Sequence, residues 1–251
     1  SRPAEDDLVV YSARSEYLIQ PIFEQYAEET GVKIRFLSDN EASLIARLVA
    51  EGAQSPADIL MTVDAGNLWQ AAEQGVLREI SSETLSRNIP AALRDPDMQW
   101  VGLSVRARTL VYSTERVDPS TLSTYEALAG DAWQGKLCLR TAKKVYNQSL
   151  VATMIAALGE ADTETVVRGW VRNLSAPPFA NDTAVIEAIA AGRCDVGLVN
   201  TYYFGRLIKD NPDLPVALFW ANQGEGERGL HVNVSGAGVT RASRQPEKAI
   251  A

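Results

Sequence analysis

The sequence has few cysteines, one histidine and no long apolar run, and each shortage excludes a class of protein. Its 251 residues include two cysteines and one histidine, so neither a zinc site built on CxxC pairs nor a Cys–His nucleophile is expected. No apolar stretch approaches the ~20 residues that a membrane-spanning helix needs. The polar start, SRPAEDD, predicts that a signal peptide was removed or never existed.

Basic clusters and phosphate-binding glycine motifs are also missing. The net charge is −8 and no Lys/Arg run with interleaved aromatics occurs, so nucleic acid is not an expected partner. No P-loop, dinucleotide fingerprint or GxSxG motif is present. His231, in GLHVNVSG, alternates with apolar residues and is predicted to be a satisfied strand residue rather than a ligand. The chain is 46% hydrophobic, enough for one large domain or two lobes.

Strand-like and helix-like segments alternate along the chain, which predicts parallel α/β sheets. In the first third, Asn40 is placed to cap a helix, and Pro21 requires that the first helix either begin near Gln20 or be kinked. Further on, a helix is predicted over AKKVYNQSLVATMIAALG and another from about Thr201. Strands are predicted in DLVVYS, VKIRFLS, ADILMTV, GKLCLRT, CDVGLV, PVALFW and GLHVNVSGAGVT.

Two extended stretches are longer than an ordinary strand, which typically has about 5–6 residues. They cover residues 100–112 and 216–236, and they suit connections that leave one lobe and enter another. The expected organisation is therefore an N-lobe of residues 1–103 and 230–251 and a C-lobe of residues 104–229.

Polar side chains cluster where the predicted strands end, which is where open α/β sheets bind ligands. Tyr11 closes the first strand, Thr141 follows KLCLR, and Asn200 to Tyr203 follow CDVGLV. Arg106 lies in the middle of the first crossing stretch, the expected floor of a cleft between lobes. These positions are predicted to converge on one crevice.

Three phenols lie near two predicted helix starts: Tyr146, Tyr202 and Tyr203. Each alone is more often a core or rim aromatic. Together they offer three hard oxygen donors, which suit a hard trivalent cation such as Fe³⁺. The helix start at Thr141, with Arg106, suits an anion, although an ordinary Thr cap and a solvated arginine are the simpler interpretation of these two residues taken alone.

The sequence resembles the periplasmic ferric-ion-binding proteins, the iron-capturing components of bacterial ABC importers. The similar segments are LVVYSARSEYLIQPIFEQYAEETG, ADILMTVDAGNLWQA, SVRARTLVYS, VYNQSLVATMIAALG and DVGLVNTYYFGRL. The resemblance implies a two-lobed type II periplasmic-binding fold with two extended crossing strands, a periplasmic location and an ABC permease as partner. It also implies capture of Fe³⁺ with carbonate or bicarbonate, and no catalysis.

The resemblance assigns roles to particular residues. It implies that Tyr146, Tyr202 and Tyr203 bind the metal, while Arg106 and Thr141 hold the anion. Where some members have a histidine and a glutamate, this chain has Ser15 and Val63, which favours a three-tyrosine site. The rim or supporting candidates are Tyr11, Arg14, Glu16 and Asn200.

The two cysteines, Cys138 and Cys194, are either buried thiols or one disulfide on sequence grounds alone. The periplasmic location that the resemblance implies favours the disulfide. Family members continue beyond the position of Ala251, so a C-terminally shortened N-lobe is expected; the chain is expected to be monomeric, with association as the alternative. The remaining alternatives are a metal-free anion binder of the same fold and an enzyme on a two-lobed scaffold.

Overall fold

The computed structural model describes residues 7–251, which divide into two compact units. The first comprises residues 7–105 and 233–251, and the second comprises residues 106–232. The boundaries of these units lie two and three residues from the lobe boundaries expected from the sequence. Each unit combines strands with helices, so the predicted α/β class is confirmed.

The strands are β1 (Leu8–Ser12), β2 (Ile34–Ser38), β3 (Ile59–Thr62), β4 (Val101–Ser113), β5 (Leu137–Cys138), β6 (Val196–Asn200), β7 (Val216–Phe219) and β8 (His231–Val239). The α-helices are α1 (Glu16–Thr30), α2 (Glu41–Glu51), α3 (Ala65–Glu73), α4 (Glu83–Asn88), α5 (Val145–Leu158), α6 (Glu160–Arg172), α7 (Asp182–Ala190), α8 (Thr201–Asp210) and α9 (Pro246–Ile250). Short 3₁₀ turns cover Gly52–Gln54, Ala91–Leu93, Pro119–Thr121, Glu126–Ala129 and Asp131–Trp133.

The sheet of the first unit has the order β2-β1-β3-β8. Strand β1 runs parallel to β2 and β3, and β8 is antiparallel to β3. Alternate residues of β1 face opposite sides, so Val9 and Tyr11 pack with α2 while Val10 packs with α1. The sheet is therefore covered by helices on both faces.

The sheet of the second unit has β4 between β6 and β7, with β5 beside β6. Strands β5 and β6 are parallel, whereas β4 is antiparallel to β6 and β7. Helix α5 packs against the face that carries Leu198, and α7 packs against the face that carries Val199. Because β5 and β6 are parallel, their C-terminal ends lie at the same edge of the sheet. Helices α5 and α8 follow these ends.

The expectation of purely parallel sheets is wrong for both units. The predicted parallel pairing is found between β1 and both β2 and β3, and between β5 and β6. Strands β4 and β8 instead pair antiparallel with β6 and β3, respectively. Strand β4, with 13 residues, matches the predicted extended stretch 100–112. The predicted run 216–236 is not one extended segment, because β7 ends at Phe219 and β8 begins at His231.

Local helix signals agree with the structure. The Asn40 side chain accepts from the Ser43 N–H at 2.9 Å and caps α2, and Asn181 accepts from the Ala184 N–H at 2.9 Å and caps α7. Pro21 lies inside α1, which begins before it at Glu16. Within residues 7–251, no helix combines the length and apolar character that a membrane span requires.

Candidate metal centre

The doublet Tyr202–Tyr203 lies in the first turn of α8, directly after β6 ends at Asn200. The two rings lie side by side, with centroids 4.5 Å apart and planes inclined by 31°. The Arg206 guanidinium lies 5.3 Å from the centroid of the Tyr202 ring and 5.7 Å from that of Tyr203. The junction between a buried strand and a helix therefore presents both phenols together.

Tyr146 joins this pair. It is the second residue of α5 and is 8% exposed. The Tyr202 hydroxyl donates to the Tyr146 hydroxyl oxygen at 3.2 Å. The structure therefore brings the three predicted tyrosines into one contiguous cluster within the second unit.

Positive charge surrounds the Tyr146 ring. The Arg106 Cζ lies 5.0 Å from the ring centroid, the Arg140 Cζ 5.2 Å and the Lys144 Nζ 5.5 Å. Cations at this range are attracted to the ring face, and they also favour negative charge on the phenol oxygen. Sequence reasoning singled out Arg106 but missed Arg140 and Lys144, whose signal was the basic composition of LRTAKKVY just before the tyrosine.

The prediction that α5 begins at Thr141 is wrong, because the helix begins at Val145. The Thr141 N–H donates to the Phe179 carbonyl at 2.7 Å, and the Thr141 hydroxyl accepts from the Lys143 N–H at 3.3 Å. These bonds hold residues 141–144 in a turn that delays the helix by one turn. The free N–H groups of the helix start therefore lie next to Lys144 and Tyr146 rather than at Thr141.

Arg108, which the sequence analysis did not select, is a fully buried charged side chain behind the tyrosines. It is 1% exposed. Its Nη1 donates to Asp182 at 2.9 Å and to the Asn200 Oδ1 at 3.1 Å, and its Nη2 donates to the Leu198 carbonyl at 3.0 Å. Its Nε donates to the Asn147 Oδ1 at 2.9 Å. The signal in the sequence was an arginine inside an otherwise apolar strand, since such a charge requires a partner.

Burial controls the protonation of the phenols. Burial, the largest effect, raises the pKa of Tyr202 to about 12 and also raises the pKa values of Tyr146 and Tyr203. Without a metal the three phenols are therefore protonated near neutral pH, and coordination through their oxygens releases protons.

His231 begins β8 and is buried, as predicted for a strand residue. Its Nδ1 lies 3.2 Å from the Thr153 hydroxyl, and burial lowers its pKa to about 4. In the described part of the chain, no group of three or more His, Cys, Asp or Glu side chains could hold a metal ion.

Among the rim candidates, three belong to the first unit. Tyr11 is a core residue rather than a rim residue: it is 2% exposed, and its hydroxyl donates to the Glu51 carboxylate at 2.9 Å. Arg14 is half-buried, with its Nη1 3.4 Å from the Ser104 hydroxyl, and Glu16 is exposed at the first position of α1. Asn200, the fourth candidate, is buried behind Tyr202 and contacts it.

The disulfide Cys138–Cys194 is present, with Cα atoms 5.9 Å apart. Cys138 ends β5 and Cys194 lies two residues before β6. The bridge therefore joins the two strands whose continuations carry Tyr146 and the tyrosine doublet.

Comparison with known proteins places this geometry in a family context. Residues 22–251 match the family described as bacterial extracellular solute-binding protein. The chain is 40% identical to iron uptake protein A1 of Synechocystis over 98% of this chain and 69% of that protein, and 44% identical to iron uptake protein A2 of the same organism over 96% and 70%.

Solved structures are similar over nearly the whole chain. Trichodesmium FutA in complex with iron and citrate superposes with a TM-score of 0.90, at 44% identity, over 97% of this chain and 78% of that one. The ferric binding protein from Campylobacter jejuni gives a TM-score of 0.89 at 34% identity, over 96% and 78%. The fold class implied by the sequence resemblance is thereby confirmed.

Proposed function

Because the chain belongs to the bacterial extracellular solute-binding proteins, we propose that it captures ferric iron in the periplasm for an ABC importer. The family membership confirms the resemblance drawn from the sequence and the expectation of a binding protein rather than an enzyme. Relatives named for iron uptake and for ferric binding support iron as the transported solute.

One observation carries the proposal: three phenols come together in a cluster that also contains four cations, Arg106, Arg140, Lys144 and Arg206. Tyr202 contacts Tyr146 through its hydroxyl and Tyr203 through its ring. Phenolate is a hard anionic ligand and suits Fe³⁺ better than softer metals such as Zn²⁺ or Cu⁺. We assign Tyr146, Tyr202 and Tyr203 as the metal ligands.

Positive charge beside Tyr146 supports an anion next to the metal. Three phenolates neutralise Fe³⁺, and Arg106, Arg140 and Lys144, which lie around the Tyr146 ring, favour a further negative group there. Carbonate or bicarbonate is the anion we propose, held by Arg106 and by the Thr141–Lys144 turn that precedes α5. The related Trichodesmium structure is a complex with iron and citrate, which supports an oxygen-rich anion as a companion of the metal.

The binding step is capture rather than turnover. The proposed ligands all belong to the second unit, so iron and its anion can first meet that unit. Each bound phenol gives up its proton to solvent, and the buried positive charges stabilise the negative ligands left behind. Delivery to a permease follows from the role of the family, in which the protein contacts the membrane through that permease.

The test is a visible spectrum of the metal-free protein after addition of ferric citrate with bicarbonate. A tyrosinate-to-iron charge-transfer band is expected, and Tyr202→Phe should weaken both the band and iron retention. Tyr112→Phe is the matched control, because Tyr112 pairs with Val196 at the opposite end of β6 from the doublet.

Three results would count against the proposal. A colourless protein that retains no iron overturns it. An unchanged band in Tyr202→Phe overturns the ligand assignment alone. Binding of citrate or carbonate without iron would identify the metal-free anion binder instead.

A further inference from the structure

We propose that Asp182 is a positioning residue that holds Tyr146 and Tyr202 in the geometry in which they bind iron. The inference rests on the proposed function, because it concerns the assigned ligands. In the structure of residues 7–251 Asp182 donates or accepts no hydrogen bond with the three tyrosines, so it would act through its neighbours.

A single buried carboxylate joins three parts of the second unit. Asp182 is fully buried at the first position of α7. Its Oδ2 accepts from the Arg108 Nη1 at 2.9 Å and from the Asn200 N–H at 2.8 Å. Its Oδ1 accepts from the Arg140 Nη1 at 3.3 Å. The carboxylate therefore ties α7 to β4, to the segment after β5 and to the end of β6.

The path toward Tyr202 passes through Asn200. Asp182 fixes the Asn200 backbone, and Arg108 donates to the Asn200 Oδ1 at 3.1 Å. The remaining amide group of the Asn200 side chain donates to the Tyr202 hydroxyl at 3.4 Å. Because the Asn200 Oδ1 accepts from Arg108, the orientation of the side-chain amide is fixed, and its Nδ2 faces the phenol oxygen of Tyr202 as a donor.

The path toward Tyr146 passes through Arg108 and Asn147. The Arg108 Nε donates to the Asn147 Oδ1 at 2.9 Å, and the Asn147 Nδ2 donates to the Arg140 carbonyl at 3.0 Å. Asn147 follows Tyr146 in α5, and the Arg140 guanidinium that Asp182 binds also faces the Tyr146 ring at 5.2 Å. The same carboxylate therefore orients the backbone beside Tyr146 and a cation on its ring.

Stability alone is a weak reason for such a network. Two buried guanidiniums share one carboxylate, and apolar side chains of similar volume often stabilise a core as well as a buried ion pair does. A metal site, by contrast, depends on partners behind its ligands that fix their orientation. The network provides these partners on both sides of the tyrosine cluster.

The experiment measures ferric affinity and the maximum of the charge-transfer band in Asp182→Asn, with the folded fraction checked by circular dichroism. We expect affinity to fall by about 10- to 100-fold, the usual effect of losing a residue behind a metal ligand, and the maximum to shift. The matched control is Asp195→Asn, which removes a carboxylate from the Arg116 ion pair at the other end of β6. The control should keep the parent affinity within a factor of about two and keep the band maximum.

Two further variants serve if Asp182→Asn does not fold. Asn147→Ala and Asn200→Ala each cut one path and leave the buried charges in place. A shifted maximum and weaker binding in either variant supports the proposal, whereas parent-like values in both overturn it. A folded Asp182→Asn with parent affinity and an unshifted maximum overturns it as well. A parent protein without the band overturns both the assigned ligands and this inference. When the parent protein shows the band, the variants test the role of Asp182 separately from the ligand assignment.

Discussion

Replacement of Arg108 by methionine is predicted to destabilise the second unit strongly. The substitution leaves Asp182 with Arg140 as its only cationic partner and removes the donor to Asn147, to Asn200 and to the Leu198 carbonyl. Removing one partner of a buried ion pair lowers the free energy of unfolding by about 3–5 kcal/mol. The separate losses share one site and do not add, so we take about 3–5 kcal/mol as the whole effect.

The assay is urea unfolding of the metal-free protein, followed by tryptophan fluorescence and circular dichroism. With a slope of about 2–3 kcal/mol per molar urea, the midpoint should fall by about 1–2 M. Arg168→Met is the control, because its ion pair with Glu164 is exposed and worth about 0.3–0.5 kcal/mol. If the urea midpoint of Arg108→Met lies within about 0.3 M of the parent value, the reasoning that Arg108 stabilises the second unit through its buried ion pair with Asp182 is refuted.

Three further predictions concern proton release, the disulfide and the packing of β6. Ferric affinity should fall as the pH falls, because burial raises the pKa of Tyr202 to about 12 and each phenol releases a proton when it binds iron. With three phenols the fall is up to about a thousandfold per pH unit. A titration of the charge-transfer band against pH measures this, and an affinity that does not change between about pH 5 and pH 8 contradicts it. Reduction of Cys138–Cys194, which closes a loop with a sequence separation of 56, should lower the free energy of unfolding by about 4 kcal/mol; equal urea midpoints with and without reductant contradict it. Gly197→Ala should cost about 1–3 kcal/mol, because the added Cβ would lie 2.7 Å from the Val185 Cγ1; a thermal midpoint equal to that of the parent contradicts it.

Much of the fold follows from local patterns in the sequence. Alternation of apolar residues located the strands, and the side-chain cap Asn40 marked the start of α2. The start of α5 was misplaced because its turn depends on a hydrogen bond between Thr141 and Phe179, which lie 38 residues apart. The preferences of neighbouring residues for helix or turn do not predict that contact.

The three tyrosines of the candidate site were predictable, and the residues that support them were not. The tyrosines were recognised because they lie near two strand–helix junctions that the sequence pattern indicates. Tyr11, near the end of another strand, is a core residue rather than a rim residue, because its hydroxyl is bonded to Glu51 on α2, 40 residues away. Which group a buried hydroxyl bonds to depends on the tertiary structure.

The sequence by itself determined which chemistry was available: phenols near the ends of two predicted strands, basic residues beside them, and two cysteines in apolar, strand-like segments. Only the tertiary structure decided which arginine is buried behind the tyrosines. Arg106 and Arg108 are two residues apart on β4 and share a face, yet Arg106 is half-buried whereas Arg108 is enclosed by Asp182 and Asn200, at sequence separations of 74 and 92. A charge is buried only where residues distant in sequence provide its partners, and the alternation of residues along a single strand does not reveal those partners.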